Sequence, residues 1–477
     1  MNVLMASPEA APYAKTGGLA DVAGALAGLM QKTGQKALLM LPYYREIKNR
    51  IRAERLDKTV EVKVGTGVFR GGLHSHRHAV FIECDEFFDR EELYGTAAGD
   101  YPDNAQRFIF FSRAVLEAAK ALDFRPDVVH AHDWQTALIP LYLKTAYGKD
   151  VFFRDARSVF TIHNLGYQGL FPPEVMSFTG LGMEQFSPEG VEFFGKMNFL
   201  KAGIIGADAI TTVSPTYAKE ILTPEHGFGL DGLLRKRAAV LTGIINGVDY
   251  SEWNPAKDTL IPANYTSGNI EGKKTCRKHL AATCGFADSR APVAAFVGRL
   301  TSQKGVDILA GAARDLMDWG VNLVVLGKGD EEYRKALSAL AGRHKGRLHA
   351  HIGFDEELSH LVYAGSDMFI MPSRYEPCGL GQMIAMRYGT PPVATNTGGL
   401  ADTIRDYSPL RGAGTGFLFE DRTADALRQC VRGALIAHAD RARWRAVVKA
   451  SMRADFSWKN SAGKYVGLYG SLKGMGG

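Results

Sequence analysis

The hexapeptide Thr-Gly-Gly-Leu-Ala-Asp occurs twice in this chain, as Thr16–Asp21 and as Thr397–Asp402. Each copy follows an apolar run with strand character, Val3–Ala6 before the first and Pro392–Thr395 before the second. Each also opens an apolar-periodic run with helix character. Strand, Gly-Gly turn and helix make half of a βαβ unit. Two glycines let a ligand approach the backbone closely, and a helix start offers unpaired N–H groups and a positive dipole end. Such a turn suits an anion. The alternative is that the glycines only pack helix on strand. The duplication points to a chain of two similar halves.

The remaining pattern agrees. Strands are expected at Val3–Ser7, Lys36–Leu41, Val60–Val64, His78–Glu83, Asp127–His132, Val159–Ile162 and Ile210–Val213. Val60–Val64 and His78–Glu83, separated by a stretch with Gly65, Gly67, Gly71 and Gly72, read as an antiparallel pair. Helices are expected at Leu19–Gln31, across Phe108–Leu122, at Trp134–Tyr147 and at Glu192–Ile205. A loop-rich stretch from Asn246 marks a junction. Beyond it, strands such as Val293–Val297, Met368–Met371 and Val393–Thr395 alternate with helices such as Val306–Trp319 and Gly379–Tyr388. This predicts an α/β chain with two Rossmann-like, doubly wound parallel-sheet domains facing across a cleft. The domains are residues 1–245 and 246–456, with a C-terminal helix in 457–477 returning to the first. The final Gly-Met-Gly-Gly is expected to fray.

Composition narrows the function. The net charge of +6 comes from scattered Lys and Arg, with no basic tract, which argues against nucleic acid and suits a small anionic substrate. Five cysteines without CxxC spacing fit a reducing compartment. No apolar run is long enough to span a membrane, and the first residues lack signal-peptide character. A cytoplasmic location is expected, with no membrane partner; a homo-oligomer is compatible with the sequence.

In open α/β sheets, ligands bind beyond the carboxyl ends of the strands, and the unusual polar clusters fall there. Arg299 and Lys304 lie in the loop after Val293–Val297, where both can grip one diphosphate. After Met368–Met371, Glu376 can accept from sugar hydroxyls, and the N–H groups of Gly379 and Leu380 face a phosphate. Cys378 beside them reads as a packing or contact residue rather than a nucleophile. His163 and Asn164 follow Val159–Ile162, and Asp133 ends its strand as a sugar-hydroxyl partner. His130 and His132 share one strand face, yet no further ligand spacing supports zinc, so neither metal nor other cofactor is expected.

Taken in order, KTGGLADV, HAHDWQT, TIHNLGYQG, TVSPTYAKEI, INGVD, WNP, GRLTSQKG, SRYEPCGLGQ and TGGLADT resemble the bacterial glycogen synthases and plant starch synthases, over essentially the whole chain. The resemblance implies the glycosyltransferase B-type fold. It also implies retaining transfer of glucose from ADP-glucose to the non-reducing end of an α-1,4-glucan, without metal. It implies that Lys15 and Gly18 bind the sugar nucleotide, that Arg299 and Lys304 hold the diphosphate, and that His163 lies beside the transferred glucose. Glu376 matches the first carboxylate of the family's paired motif. Asp133 and Asn246 match further polar positions, and Tyr94 lies in a segment resembling one near the acceptor. Two positions depart from the wider pattern: Ile384 stands where related transferases carry a second Glu, and Gly381 where many members carry Thr.

The chemistry asks for stabilisation of a departing diphosphate by Arg299, Lys304, Lys15 and backbone N–H groups. Front-face attack is favoured because no clear nucleophile is visible, and closure about a hinge near Asn246 is expected. The competing readings are a UDP-glucose-dependent transferase with another acceptor and a non-enzymatic carbohydrate-binding protein.

Overall fold

Val3, Leu4, Met5 and Ala6 are completely buried, so the strand that holds them, β1 (Asn2–Ala6), needs cover on both faces. The computed structural model, which describes residues 1–96 and 99–474, supplies it with a doubly wound sheet. The chain divides into two units. One comprises Met1–Val213, Ala218–Ile244 and Trp458–Gly477; the other comprises Ser214–Tyr217 and Ile245–Ser457. The expected fraying of the last residues falls, apart from Gly474, outside the described residues.

In the first unit the strands are β1, β2 (Lys36–Pro42), β3 (Glu54–Val64), β4 (Gly67–His76), β5 (Ala79–Glu83), β6 (Val128–His132), β7 (Arg157–Ile162), β8 (Ala209–Thr212) and β9 (Leu241–Gly243). They form one sheet in the order β9-β8-β7-β6-β1-β2-β5-β4-β3. Pairing is parallel from β9 to β5 and antiparallel across β5-β4 and β4-β3. The expected pairing of Val60–Val64 with His78–Glu83 is therefore wrong. The glycine-rich stretch between them is itself the strand β4, and both neighbours pair with it. Gly71 and Gly72 mark a crowded position there: a Cβ on Gly71 would sit 2.9 Å from Val60, and one on Gly72 would sit 2.8 Å from Glu83.

Helix α1 (Gly18–Lys32) buries Ala20, Val22, Ala23, Leu26, Ala27 and Met30, the stripe that its sequence period encodes. Helix α2 (Asn104–Ala121) is buried along most of its length. Helices α3 (Leu138–Lys144) and α4 (Phe199–Gly206) are shorter than expected. Glu192–Phe193 and Lys196–Asn198 pair as a small antiparallel hairpin instead of starting α4. Asn198 then caps that helix, its side chain accepting from the Lys201 N–H at 2.9 Å.

The second unit has the strands β10 (Val293–Val297), β11 (Asn322–Gly327), β12 (Leu348–Ile352), β13 (Met368–Met371), β14 (Pro392–Thr395) and β15 (Phe417–Phe419). All pair in parallel, in the order β12-β11-β10-β13-β14-β15. Counted from its own first strand this is the Rossmann order 3-2-1-4-5-6, whose switch point lies between β10 and β13. Its helices include α5 (Glu271–Thr283), α6 (Val306–Asp318), α7 (Glu356–Gly365), α8 (Gly381–Arg387) and α9 (Gly398–Thr403). The last helix, α10 (Trp458–Gly474), belongs to the first unit, where Lys473 pairs with Asp127 at 2.9 Å.

Lys273 on α5 holds the end of α8. Its ammonium donates to the carbonyls of Ala364 and Tyr388 at 2.9 and 3.1 Å and to the Thr390 hydroxyl at 2.7 Å. Both carbonyls lie at helix C-termini, where a cation is favoured. Replacing Lys273 by Met leaves these acceptors without that donor, and we expect the second unit to lose about 2–4 kcal/mol in a urea titration.

Candidate active site

The switch point of the second unit is built by the loops after β10 and β13, and backbone locks them together. Gly305 has φ +67°, and a Cβ there would lie 1.9 Å from the carbonyl oxygen of Pro372. The Arg374 N–H donates to the Gln303 carbonyl at 2.8 Å. The Arg374 guanidinium grips both carboxylate oxygens of Asp307, at 2.8 and 2.7 Å. Arg374 is thus a strut between the loops.

Within this frame Lys304 Nζ lies 2.6 Å from Glu376 Oε2. The Ser373 hydroxyl donates to the same oxygen at 3.0 Å. Glu376 is only 4% exposed, so its charge is matched locally by one cation and one hydroxyl. Arg299 is exposed and donates to Gln303 Oε1 at 3.1 Å. Cys378 is buried, burial pushes its thiol up to about 12, and the Asn246 N–H donates to its sulfur. Such a thiol does not act as a nucleophile at neutral pH. The structure thereby joins Asn246 to Cys378.

Gly379 takes φ +75°, and α8 starts at Gly381 rather than at Gly379. The N–H groups of Gly379 and Leu380 donate no hydrogen bond among the described residues, and both residues are half-buried. They remain available to an anionic oxygen. Gly381 lies against Phe369: a Cβ there would stand 3.1 Å from that ring, so a side chain at this position needs the ring to give way by a few tenths of an ångström.

The second Thr-Gly-Gly-Leu-Ala-Asp copy braces this turn. The Gly399 N–H donates to the Glu376 carbonyl at 3.0 Å, and a Cβ on Gly399 would lie 2.1 Å from the Cys378 carbonyl oxygen. Thr397, Gly398, Gly399 and Leu400 are all buried. Here the glycines serve packing. The copies are not equivalent, since the second follows β14, one strand beyond the switch point.

In the first unit, the first copy follows β1, which is flanked by β2 and β6 at that sheet's own switch point. Lys15 and Gly18 are exposed, and Lys15 pairs with Asp21 at 2.7 Å. Glu9, in the same loop, is 3% exposed. It accepts from the Thr16 N–H, from the Thr16 hydroxyl at 2.6 Å and from the Tyr94 hydroxyl at 2.6 Å. Tyr94 therefore reaches the Lys15 loop through Glu9. Sequence reasoning passed over Glu9, although its place after β1 follows the same rule that picked out Asp133.

Asp133, Asn164 and His163 come together after β6 and β7. Asp133 has φ +54° and accepts from the N–H of His163 at 2.7 Å and from that of Asn164. The Asn164 side chain accepts from the Gly166 N–H at 2.9 Å, closing its own turn. His163 Nε2 lies 3.0 Å from His132 Nδ1. His130 engages both ring nitrogens, with Tyr469 Oη at 2.7 Å and Thr161 Oγ1 at 2.6 Å. Burial drives His132 down to about 3 and holds His130 and His163 well below the usual range, so all three are neutral at pH 7. His132 went unassigned in the sequence, and it orients His163. Among the described residues no helix is long and apolar enough to cross a membrane.

Burial pushes the Asp133 carboxyl up to about 7; the two N–H groups oppose this, and the charge of Glu9 adds to it. The folded protein binds this proton more tightly than the unfolded chain. Ionisation between about pH 4 and 7 therefore lowers stability as pH rises. Asp133→Asn is expected to flatten that loss, so denaturation midpoints of wild type and variant should diverge in the variant's favour from pH 4.5 to 7.5.

The starch synthase catalytic domain family matches residues 2–236, and glycosyl transferases group 1 matches residues 285–449. The chain is 47% identical to a glycogen synthase of Geotalea daltonii, covering 98% of each chain. It is 44% identical to that of Thermodesulfovibrio yellowstonii, covering 99% of this chain and 98% of the relative. Among solved structures, the catalytic domain of starch synthase IV from Arabidopsis thaliana, bound to ADP and acarbose, matches with a TM-score of 0.91. It is 32% identical, and 99% of each chain is covered. The sucrose-phosphate synthase of Thermosynechococcus elongatus shares the fold alone, with a TM-score of 0.63 at 19% identity. The fold is the glycosyltransferase B type.

Proposed function

Because the chain belongs to the glycogen and starch synthase family of glycosyltransferases, we propose that it transfers glucose from ADP-glucose to the non-reducing end of an α-1,4-glucan with retention. The observation that carries this reading is the set of groups at the switch point of the second unit. Arg299 and Lys304 supply positive charge there, and the N–H groups of Gly379 and Leu380 lie close by in sequence to the carboxylate that pairs with Lys304. A Rossmann sheet takes its ligand at that point. The ADP bound by the starch synthase relative supports the choice of nucleotide, and its acarbose supports a glucan acceptor.

In the reaction the bond between glucose C1 and the diphosphate oxygen breaks, and negative charge grows on ADP. Arg299 and Lys304 meet that charge, and Glu376 holds Lys304 in position. Lys15 and the backbone N–H groups near Gly18 bind the sugar nucleotide. Asp133 and His163 bind glucose hydroxyls, His163 as a neutral imidazole. The acceptor hydroxyl attacks C1 from the face the diphosphate leaves, and its proton passes to the departing phosphate oxygen. Glu376 is engaged by Lys304 and Ser373, and the Asp133 carboxyl is partly protonated at neutral pH. Neither makes a good covalent nucleophile, which favours front-face attack. The cysteines are all free thiols, which supports a cytoplasmic site of action.

The test is transfer of glucose to glycogen from ADP-glucose and, separately, from UDP-glucose. We expect ADP-glucose to be the better donor. Arg299→Ala, a change at an exposed side chain, should lower kcat by about 10²–10³ with no change in melting temperature. Preference for UDP-glucose would change the donor assignment. Absence of nucleotide binding would leave a carbohydrate-binding protein.

A further inference from the structure

His360 lies on α7, outside the groups assigned to the diphosphate and the sugar, and it is 2% exposed. Its Nδ1 is 2.8 Å from Asp258 Oδ2, and the Tyr388 hydroxyl donates to the same oxygen. Trp253 stacks on the imidazole, with ring centroids 4.1 Å apart and planes 14° from parallel. These contacts fix the ring. An ionised Asp258 accepts a hydrogen bond from Nδ1–H, which leaves the lone pair on Nε2. Yet Nε2 is buried and has no hydrogen-bond partner among the described residues. A buried imidazole nitrogen without a partner is costly unless something binds it.

Two exposed carboxylates stand at that ring. Glu252, from the loop that carries Trp253, and Glu356, at the first turn of α7, offer oxygens that lie within 4.8 Å of each other and of a ring nitrogen of His360; with Nδ1 held by Asp258, Nε2 is the nitrogen left to a ligand. We propose that Glu252, Glu356 and His360 Nε2 bind one divalent transition-metal ion, zinc by its donor set, with water as fourth ligand. One imidazole and two carboxylates suit tetrahedral zinc. The carboxylate behind the imidazole is the arrangement that holds metal-bound histidines. The ion ties the loop around Trp253 to α7 within the second unit. It takes no part in glucosyl transfer, because none of the diphosphate-binding groups belongs to the set.

The test uses the full chain after chelator treatment, titrated with zinc against a chromophoric competitor. We expect one equivalent to bind and the melting temperature to rise. Glu252→Gln combined with Glu356→Gln changes only exposed side chains, so the variant should fold; it should bind at least tenfold more weakly and lose the thermal shift. Cobalt should quench tryptophan fluorescence in the wild type, and most of that quenching should vanish in Trp253→Phe. Unchanged zinc affinity in the double variant would overturn the proposal. So would the absence of saturable binding, or cobalt spectra with thiolate charge-transfer bands, which would put the metal on cysteine.

Discussion

Lys304 reaches Glu376 at 2.6 Å because two loops from neighbouring parallel strands are held backbone to backbone. Gly305 permits that approach, since any side chain there would enter the Pro372 carbonyl. The Arg374–Asp307 pair and the Arg374 N–H add a second and a third tie. A buried carboxylate and a cation so placed form a pre-set electrostatic frame. The turn at Cys378–Leu380 hangs from the same frame and is braced from behind by Gly399.

The first unit works by a different physical means. At the ends of β6 and β7 the polar groups are buried and mostly neutral. Three histidines lose their charge to desolvation, and Asp133 is poised near neutrality. Neutral, hydrogen-bonded groups recognise hydroxyls without competing for the negative charge of a phosphate. The left-handed backbone at Asp133 turns its carboxylate onto the N–H groups of the next strand end. The result is a fixed acceptor held by the fold itself.

Much of this was legible in the chain. The alternation of apolar runs with helical periods gave the parallel sheets, and the strand-end rule picked out Arg299, Lys304, Glu376, His163 and Asp133. What was not legible has physical reasons. Strand β4 was hidden because crowding against Val60 and Glu83 imposes glycines, which read as a turn. The repeated hexapeptide suggested equivalent places, but strand order decides the role. The copy after β1 sits at a switch point with Thr16 and Gly18 exposed, and the copy after β14 packs its buried Thr397–Leu400 beneath one. Glu9 and His132 act through contacts with Tyr94 and His163, distant in sequence, and no local pattern announces them.

The central claim is that the diphosphate is held at the switch point of the second sheet. Its most direct test is a crystal structure with ADP. The account predicts diphosphate oxygens within hydrogen-bonding distance of Arg299, Lys304 and the N–H groups of Gly379 and Leu380. A diphosphate bound elsewhere, with the loops after β10 and β13 left empty, would contradict it.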